Sequence, residues 1–235
     1  MANKYLPALA AVALISVFGV GVFVGTQVDG EPLSPPAPEG TTTPTAEEAD
    51  RTPTPEDDPA EVTTEVPPSS FDEAAIAQFI ADYLNEARAD ADATELSTTG
   101  VTADILQSMA SNHSDAMAAA GEVNHTIDGR DSYDRYEAND IEQQCEFAVN
   151  GTNIETPTRD RFEAVGSTLA GQSYTDGGEH RFNGNDSAVA RALVDDWLST
   201  LPYANRLTLD GAERVGVGVT ITDEGRVYAT VNICG

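Results

Sequence analysis

Three histidines carry most of the chemical possibilities in this chain: His113, His125 and His180. His113 lies in Ala110-Ser111-Asn112-His113-Ser114-Asp115-Ala116-Met117, and His125 closes Gly121-Glu122-Val123-Asn124-His125. His180 follows Gly178-Glu179. An imidazole beside a carboxylate can move a proton or hold a metal. A zinc site needs at least three strong ligands; His125 and Glu179 supply two. His180 becomes a third only where Glu179 reaches His125. Tyr203 is a poor ligand near neutral pH because phenols ionise near pH 10. The expectation is therefore no metal and no cofactor. His113 falls on an apolar helical stripe, which reads as a buried ring hydrogen-bonded to backbone. No Gly-x-Ser-x-Gly elbow occurs, and Lys4 is the only lysine, so no phosphate-binding Gly-x-x-x-x-Gly-Lys loop is possible. With 40 acids, carboxylate pairs arise by chance and do not point to glycoside hydrolysis.

The elements that must position these residues can be read from periodicity. Ser70-Phe71-Asp72-Glu73 fits a capping box. Ile76, Phe79, Ile80, Tyr83, Leu84 and Ala87 then mark a helix. A second helix, capped by Thr102, carries Leu106, Met109, Ala110, His113, Ala116 and Met117 and stops at Gly121. A third starts near Asp186 or Ser187 and presents Ala190, Leu193, Val194, Trp197 and Leu198 before Pro202. The period then becomes two. Val215, Val217, Val219 and Ile221 alternate, Asp223-Glu224-Gly225 turns, and Val227, Ala229, Val231 and Ile233 alternate again. This predicts a terminal β-hairpin with one buried face. Gly216 and Gly218 suit close packing rather than phosphate binding. Cys145–Val149 and Arg161–Val165 are further strand candidates. Helices and antiparallel strands in separate blocks imply an α+β fold.

The order of motifs resembles the CAP superfamily, the SCP-like extracellular domains of cysteine-rich secretory, antigen-five and pathogenesis-related proteins. The resemblance is carried by the Ala110–Met117 helix, His125 ahead of Asp128-Gly129, and Asn85-Glu86-Ala87-Arg88 on the first helix. Trp197, Pro202, Val215-Gly216-Val217-Gly218-Val219 and the ending Tyr228 through Cys234 continue it. It spans about residues 71–235. It implies a three-layer α–β–α sandwich with a cleft tetrad of two histidines and two acids. Carried over, that cleft comprises His125, Glu179, Thr200 and Tyr203. Thr200 stands for an acid and Tyr203 for the second histidine, so the tetrad is degenerate. The remaining family acid falls on Glu179 or on Ser167. The external topology and the family-like terminal cysteine imply a Cys145–Cys234 bond.

Charge and composition divide the chain into three. There are 40 acids against 12 Lys and Arg, a formal charge of −28. Residues 70–235, the CAP-like domain, keep −19 from residue 71 onward. That excludes a nucleic-acid partner and suggests a salt-loving, haloarchaeal-type source, because salt screens self-repulsion. Residues 1–28 include 24 uncharged residues, Tyr5 to Val28, long enough at about 36 Å to span a bilayer as a transmembrane helix. An uncleaved single-pass anchor with the domain outside is expected; a cleaved signal peptide is the alternative. Residues 29–69 form an acidic Pro/Thr-rich linker too poor in apolar groups to fold. Asn150 and Asn185 head the sequons in loop-like sequence and are possible glycosylation sites; Asn112 and Asn124 sit in segments expected to be packed. The functional expectation is a cell-surface, non-catalytic binding or interaction module, its partner an extracellular ligand or envelope protein. The alternative is a hydrolase or metal-dependent enzyme using His125 with Glu179.

Overall fold

The computed structural model describes residues 65–149, 151 and 153–235. The segments expected to form the anchor and nearly all of the linker, and Asn150, lie outside the described residues. Among the described residues no helix is long and apolar enough to cross a membrane.

Helix α1 runs Glu73–Asp90. Its N-cap is Asp72, whose carboxylate accepts from the Ala74 and Ala75 amides at 2.9 and 3.1 Å. The expected Ser70 cap is thus displaced by two residues. A carboxylate at the N-terminus also suits the helix dipole. Helix α2, Val101–Ala120, starts after Gly100 rather than at Thr102 and ends at Gly121, whose φ of 71° is the left-handed cap. Helix α3 (Ser132–Ala138) opens on a capping box between Asp131 and Asp134. Strands β1 (Phe147–Val149) and β2 (Asn153–Glu155) form a small hairpin. Strand β3 (Glu163–Leu169) precedes a second hairpin, β4 (Ser173–Asp176) with β5 (Glu179–Phe182). Helix α4 (Asp186–Ser199) is capped by Asn185, and α5 (Leu201–Leu207) begins with Pro202 in its first turn. Strands β6 (Arg214–Ile221) and β7 (Arg226–Cys234) complete the chain.

The main sheet is antiparallel, in the order β3-β7-β6. Alternation sorts its side chains into two faces. Val217, Val219, Val231 and Ala229 face one way with Ala164 and Gly166. Here α1 packs on β6 and α4 on β3. Trp197 of α4 is fully buried and donates its indole N–H to the Val165 carbonyl at 2.9 Å. Glu163, Val165, Tyr228, Thr230 and Asn232 face the other way, toward α2. The molecule is thus helices, sheet, helix. The expectation of one buried hairpin face is corrected: β7 is central and buried on both sides. Helix α2 covers β6 and β7 on one side, and Gly216 and Gly218 of β6 allow its close approach. A Cβ on either would overlap the α2 backbone at Leu106–Gln107 or Ala110–Ser111.

Cys145 and Cys234 form a disulfide that closes an 89-residue separation. It ties the end of β7 to the segment after α3 and stabilises by about 4–5 kcal/mol in the chain-entropy view.

Candidate functional site: a buried carboxylate beneath His125

His125 lies in the loop between α2 and α3. Its Nδ1 is 2.9 Å from Glu163 Oε1, and its Nε2 is 3.2 Å from the Tyr203 hydroxyl. Glu163 opens β3 and is wholly buried. Because a carboxylate only accepts, His125 donates from Nδ1, which leaves Nε2 to accept from the phenol. Arg135 of α3 holds Glu163 from another side. Its Nη2 lies 2.7 and 2.6 Å from the two carboxylate oxygens and also donates to the His125 carbonyl at 3.0 Å. The result is a chain of hydrogen bonds, Tyr203 to His125 to Glu163, with Glu163 anchored by Arg135.

Two further groups fix its surroundings. His113 is buried on α2 and donates Nε2–H to the Asn124 carbonyl at 3.0 Å, as its place on the apolar stripe predicts. Its Nε2 is 3.8 Å from Glu163 Oε1, an electrostatic neighbour without a hydrogen bond. Burial lowers the His113 pKa, and Glu163 opposes part of that shift. Arg206 of α5 donates to the Glu163 carbonyl at 2.7 Å and lies over the Tyr203 ring at 5.0 Å. Burial raises the Tyr203 pKa above the ordinary phenol value, so the hydroxyl keeps its proton.

Of the sequence candidates, the fold brings together His125 and Tyr203. Glu179 is corrected: it lies exposed on the β4–β5 hairpin, 3.3 Å from Arg181. A short, solvent-facing hairpin cannot bury it against a helix. His180 is exposed on the same strand, opposite Thr175. Ser167 sits four residues along β3, opposite Tyr228. Thr200 caps the α4–α5 junction, donating its hydroxyl to the Trp197 carbonyl at 3.1 Å. The carboxylate that meets His125 is Glu163, which the sequence reading passed over. Its signal was a lone acid at the head of a run of small and apolar residues, Ala164 to Leu169. Arg135 was also missed as a site residue. Asn85 and Arg88 prove structural. Asn85 exchanges two hydrogen bonds with Leu96, and the buried Arg88 donates to the carbonyls of Thr94, Leu207 and Ala212. Asn112 and Asn124 are exposed rather than packed; Asn185 is exposed while capping α4.

A carboxylate-oriented imidazole is half of a general-base apparatus. Here the outward nitrogen is occupied by a phenol that stays protonated. The residues also fit a divalent ion poorly. The Nδ1–H bond to Glu163 would leave Nε2 as the ligating nitrogen, but Nε2 already meets the Tyr203 hydroxyl, and the carboxylate is paired with a guanidinium. Among the described residues, no group of three or more His, Cys, Asp or Glu is placed to hold a metal.

No known protein family matches the chain, and no curated protein does. Two solved structures resemble it. An outer surface protein from Borrelia burgdorferi matches at 14% identity with a TM-score of 0.45, covering 70% of this chain and 96% of that one. An extracellular protein containing an SCP domain from Bacillus anthracis str. Ames matches at 15% identity with a TM-score of 0.43. That match covers 69% of this chain and 41% of the other, so it spans less than half of the Bacillus protein.

Proposed function

We propose that residues 70–235 are a CAP-like, extracellular binding or interaction module whose cleft is closed by internal hydrogen bonds and performs no catalysis. Residues 1–28 anchor it to the cell membrane as a single-pass segment, and residues 29–69 hold it away from the surface. Its partner is an extracellular ligand or envelope protein. The observation that carries the non-catalytic reading is the double engagement of His125: Nδ1 serves Glu163 and Nε2 serves Tyr203. An imidazole used in this way cross-links α5, β3 and the α2–α3 loop. It offers neither a free base nor an open metal position.

The test uses the full-length chain and His125→Ala, with circular dichroism as the control for folding. Zinc titration by calorimetry is expected to show no saturable binding in the native chain. Hydrolysis of p-nitrophenyl acetate and of fluorescent casein should be the same in both proteins. One-to-one zinc binding, or turnover abolished by His125→Ala, would restore the enzyme reading with Glu163 in the place of Glu179.

A further inference from the structure

Between α2 and the α2–α3 loop lies a cavity of about 150 Å³ that neither His125 nor Tyr203 lines. Its apolar wall is made by Met109, Ala116 and Ile127, with Met109 and Ile127 buried. Its polar end is made by Arg130 with Asn112, both exposed. Arg130 brings a positive charge to the edge of this apolar space. Residues 71–235 hold 29 acids against ten arginines, so a cation here should readily find a carboxylate. Seven of those arginines do, Arg88 is buried among carbonyls, and among the described residues Arg130 and the exposed Arg226 are left without a side-chain partner. Among the described residues the Arg130 side chain takes part in no ion pair and no hydrogen bond, although Asp128 lines the same cavity. Arg135, also on the cavity wall, keeps a buried Nε–H without an acceptor. Two guanidinium groups with unused donors thus border a small space whose other wall is apolar.

We propose that this cavity is a binding site for a short-chain organic monocarboxylate. The alkyl end packs on Met109, Ala116 and Ile127, and the carboxylate meets Arg130, with the Asn112 amide beside it. A volume of about 150 Å³ is that of roughly five waters at ~30 Å³ each, which suits an acid of about four carbons. Guanidinium is well matched to a carboxylate because its planar donors reach both oxygens. A phosphate would gain from the charge but not from the apolar wall. A neutral amide would gain from the wall but not from the charge.

The cavity shares Arg135 and His113 with the surroundings of Glu163, but the assignment does not rest on the function proposed above, and its failure would leave that reading intact. The experiment titrates butyrate into the isotopically labelled full-length chain at fixed ionic strength, with sodium chloride as the balancing salt. Backbone amide shifts of residues 112–116 and 127–130 are the readout. A ligand of six heavy atoms should bind in roughly the millimolar range. Arg130→Gln should weaken butyrate about tenfold, the value of one charge-assisted hydrogen bond at a partly wet site. Asp128→Asn should tighten it about threefold by removing a neighbouring like charge. Ala116→Leu, which fills the space, should abolish binding while the melting temperature is retained. Absence of saturable shifts, equal binding of butyramide, equal binding of phosphate, or an unchanged response in Arg130→Gln would each overturn the assignment.

Discussion

At Glu163 a fully buried carboxylate is approached by His125, Arg135 and His113. An unpaired buried charge would be costly, so Glu163 and Arg135 must be retained or lost together. His113 faces Glu163, Arg135, His125 and the Asn124 carbonyl, yet burial dominates and lowers its pKa. The sign of the stability effect follows from proton binding. The unfolded chain takes up a proton near pH 6.5, while the folded chain does so only at lower pH. Between those values the unfolded state binds more protons, so stability falls as pH falls through this window. His113→Gln keeps a donor for Asn124 and removes the titration. Melts from about pH 7.5 to 5.5 in molar salt should therefore show a steeper loss for the native chain. The readout is a gap between the two melting curves that widens as pH falls. Parallel melting curves would show that His113 is not the group responsible.

The elements owe their register to contacts that a few small residues permit. Gly216 and Gly218 let α2 approach β6 so closely that side chains of the helix serve the strand's main chain. Gln107 bonds both the carbonyl and the amide of Val217, and the Ser114 hydroxyl donates to the Gly218 carbonyl at 3.0 Å. Ser97 covers the start of the same edge by accepting from the Val215 amide at 3.0 Å, and Glu73 takes the Ile221 amide at 2.7 Å. Edge strand β6 is thereby closed to pairing with other chains. Gly218→Ala should cost about 3 kcal/mol, the upper end for overpacking, because backbone rather than a side-chain tip must yield. Urea unfolding measures this directly; an unchanged midpoint would contradict the close approach. The same contacts explain what was legible in the sequence. Three helices and the terminal hairpin showed their periods because each buries a stripe or an alternating face. Helices α3 and α5 did not, since seven residues are too few for a period to stand out. Two-sided burial of β7 was hidden because Tyr228, Thr230 and Asn232 read as polar or mixed, though all three are buried. His125 and Tyr203 were legible from motif order. Glu163 was not, because its role depends on long-range pairing of β3 with β7 and on Arg135 from a helix without a sequence signature.

For the molecule as a whole, charge is the dominant unfavourable term that solvent can modify. Residues 71–235 carry −19, and seven arginines are engaged in ion pairs among the described residues, which leaves most carboxylates without a cationic partner. Several of these pairs are solvent-exposed and contribute little individually. Net repulsion should therefore outweigh them at low ionic strength, where the Debye length is about 30 Å at 0.01 M, comparable to the whole domain. At 1 M it shrinks to about 3 Å, and most of the penalty is removed. The melting temperature is accordingly expected to rise with potassium chloride, with the larger part of the gain below about 1 M. Salt can also stabilise by exclusion from apolar surface, an effect that grows with concentration and depends on the anion. Charge-neutral variants separate the two. Glu122, Glu137 and Glu224 are exposed, and their side chains make no hydrogen bond or ion pair among the described residues. Replacing all three by Gln should raise the melting temperature in about 0.01 M salt and leave it nearly unchanged at about 2 M, narrowing the salt dependence. If the triple variant melts in parallel with the native chain at every salt concentration, self-repulsion does not limit this fold, and the acidic surface must be explained by something other than adaptation to salt.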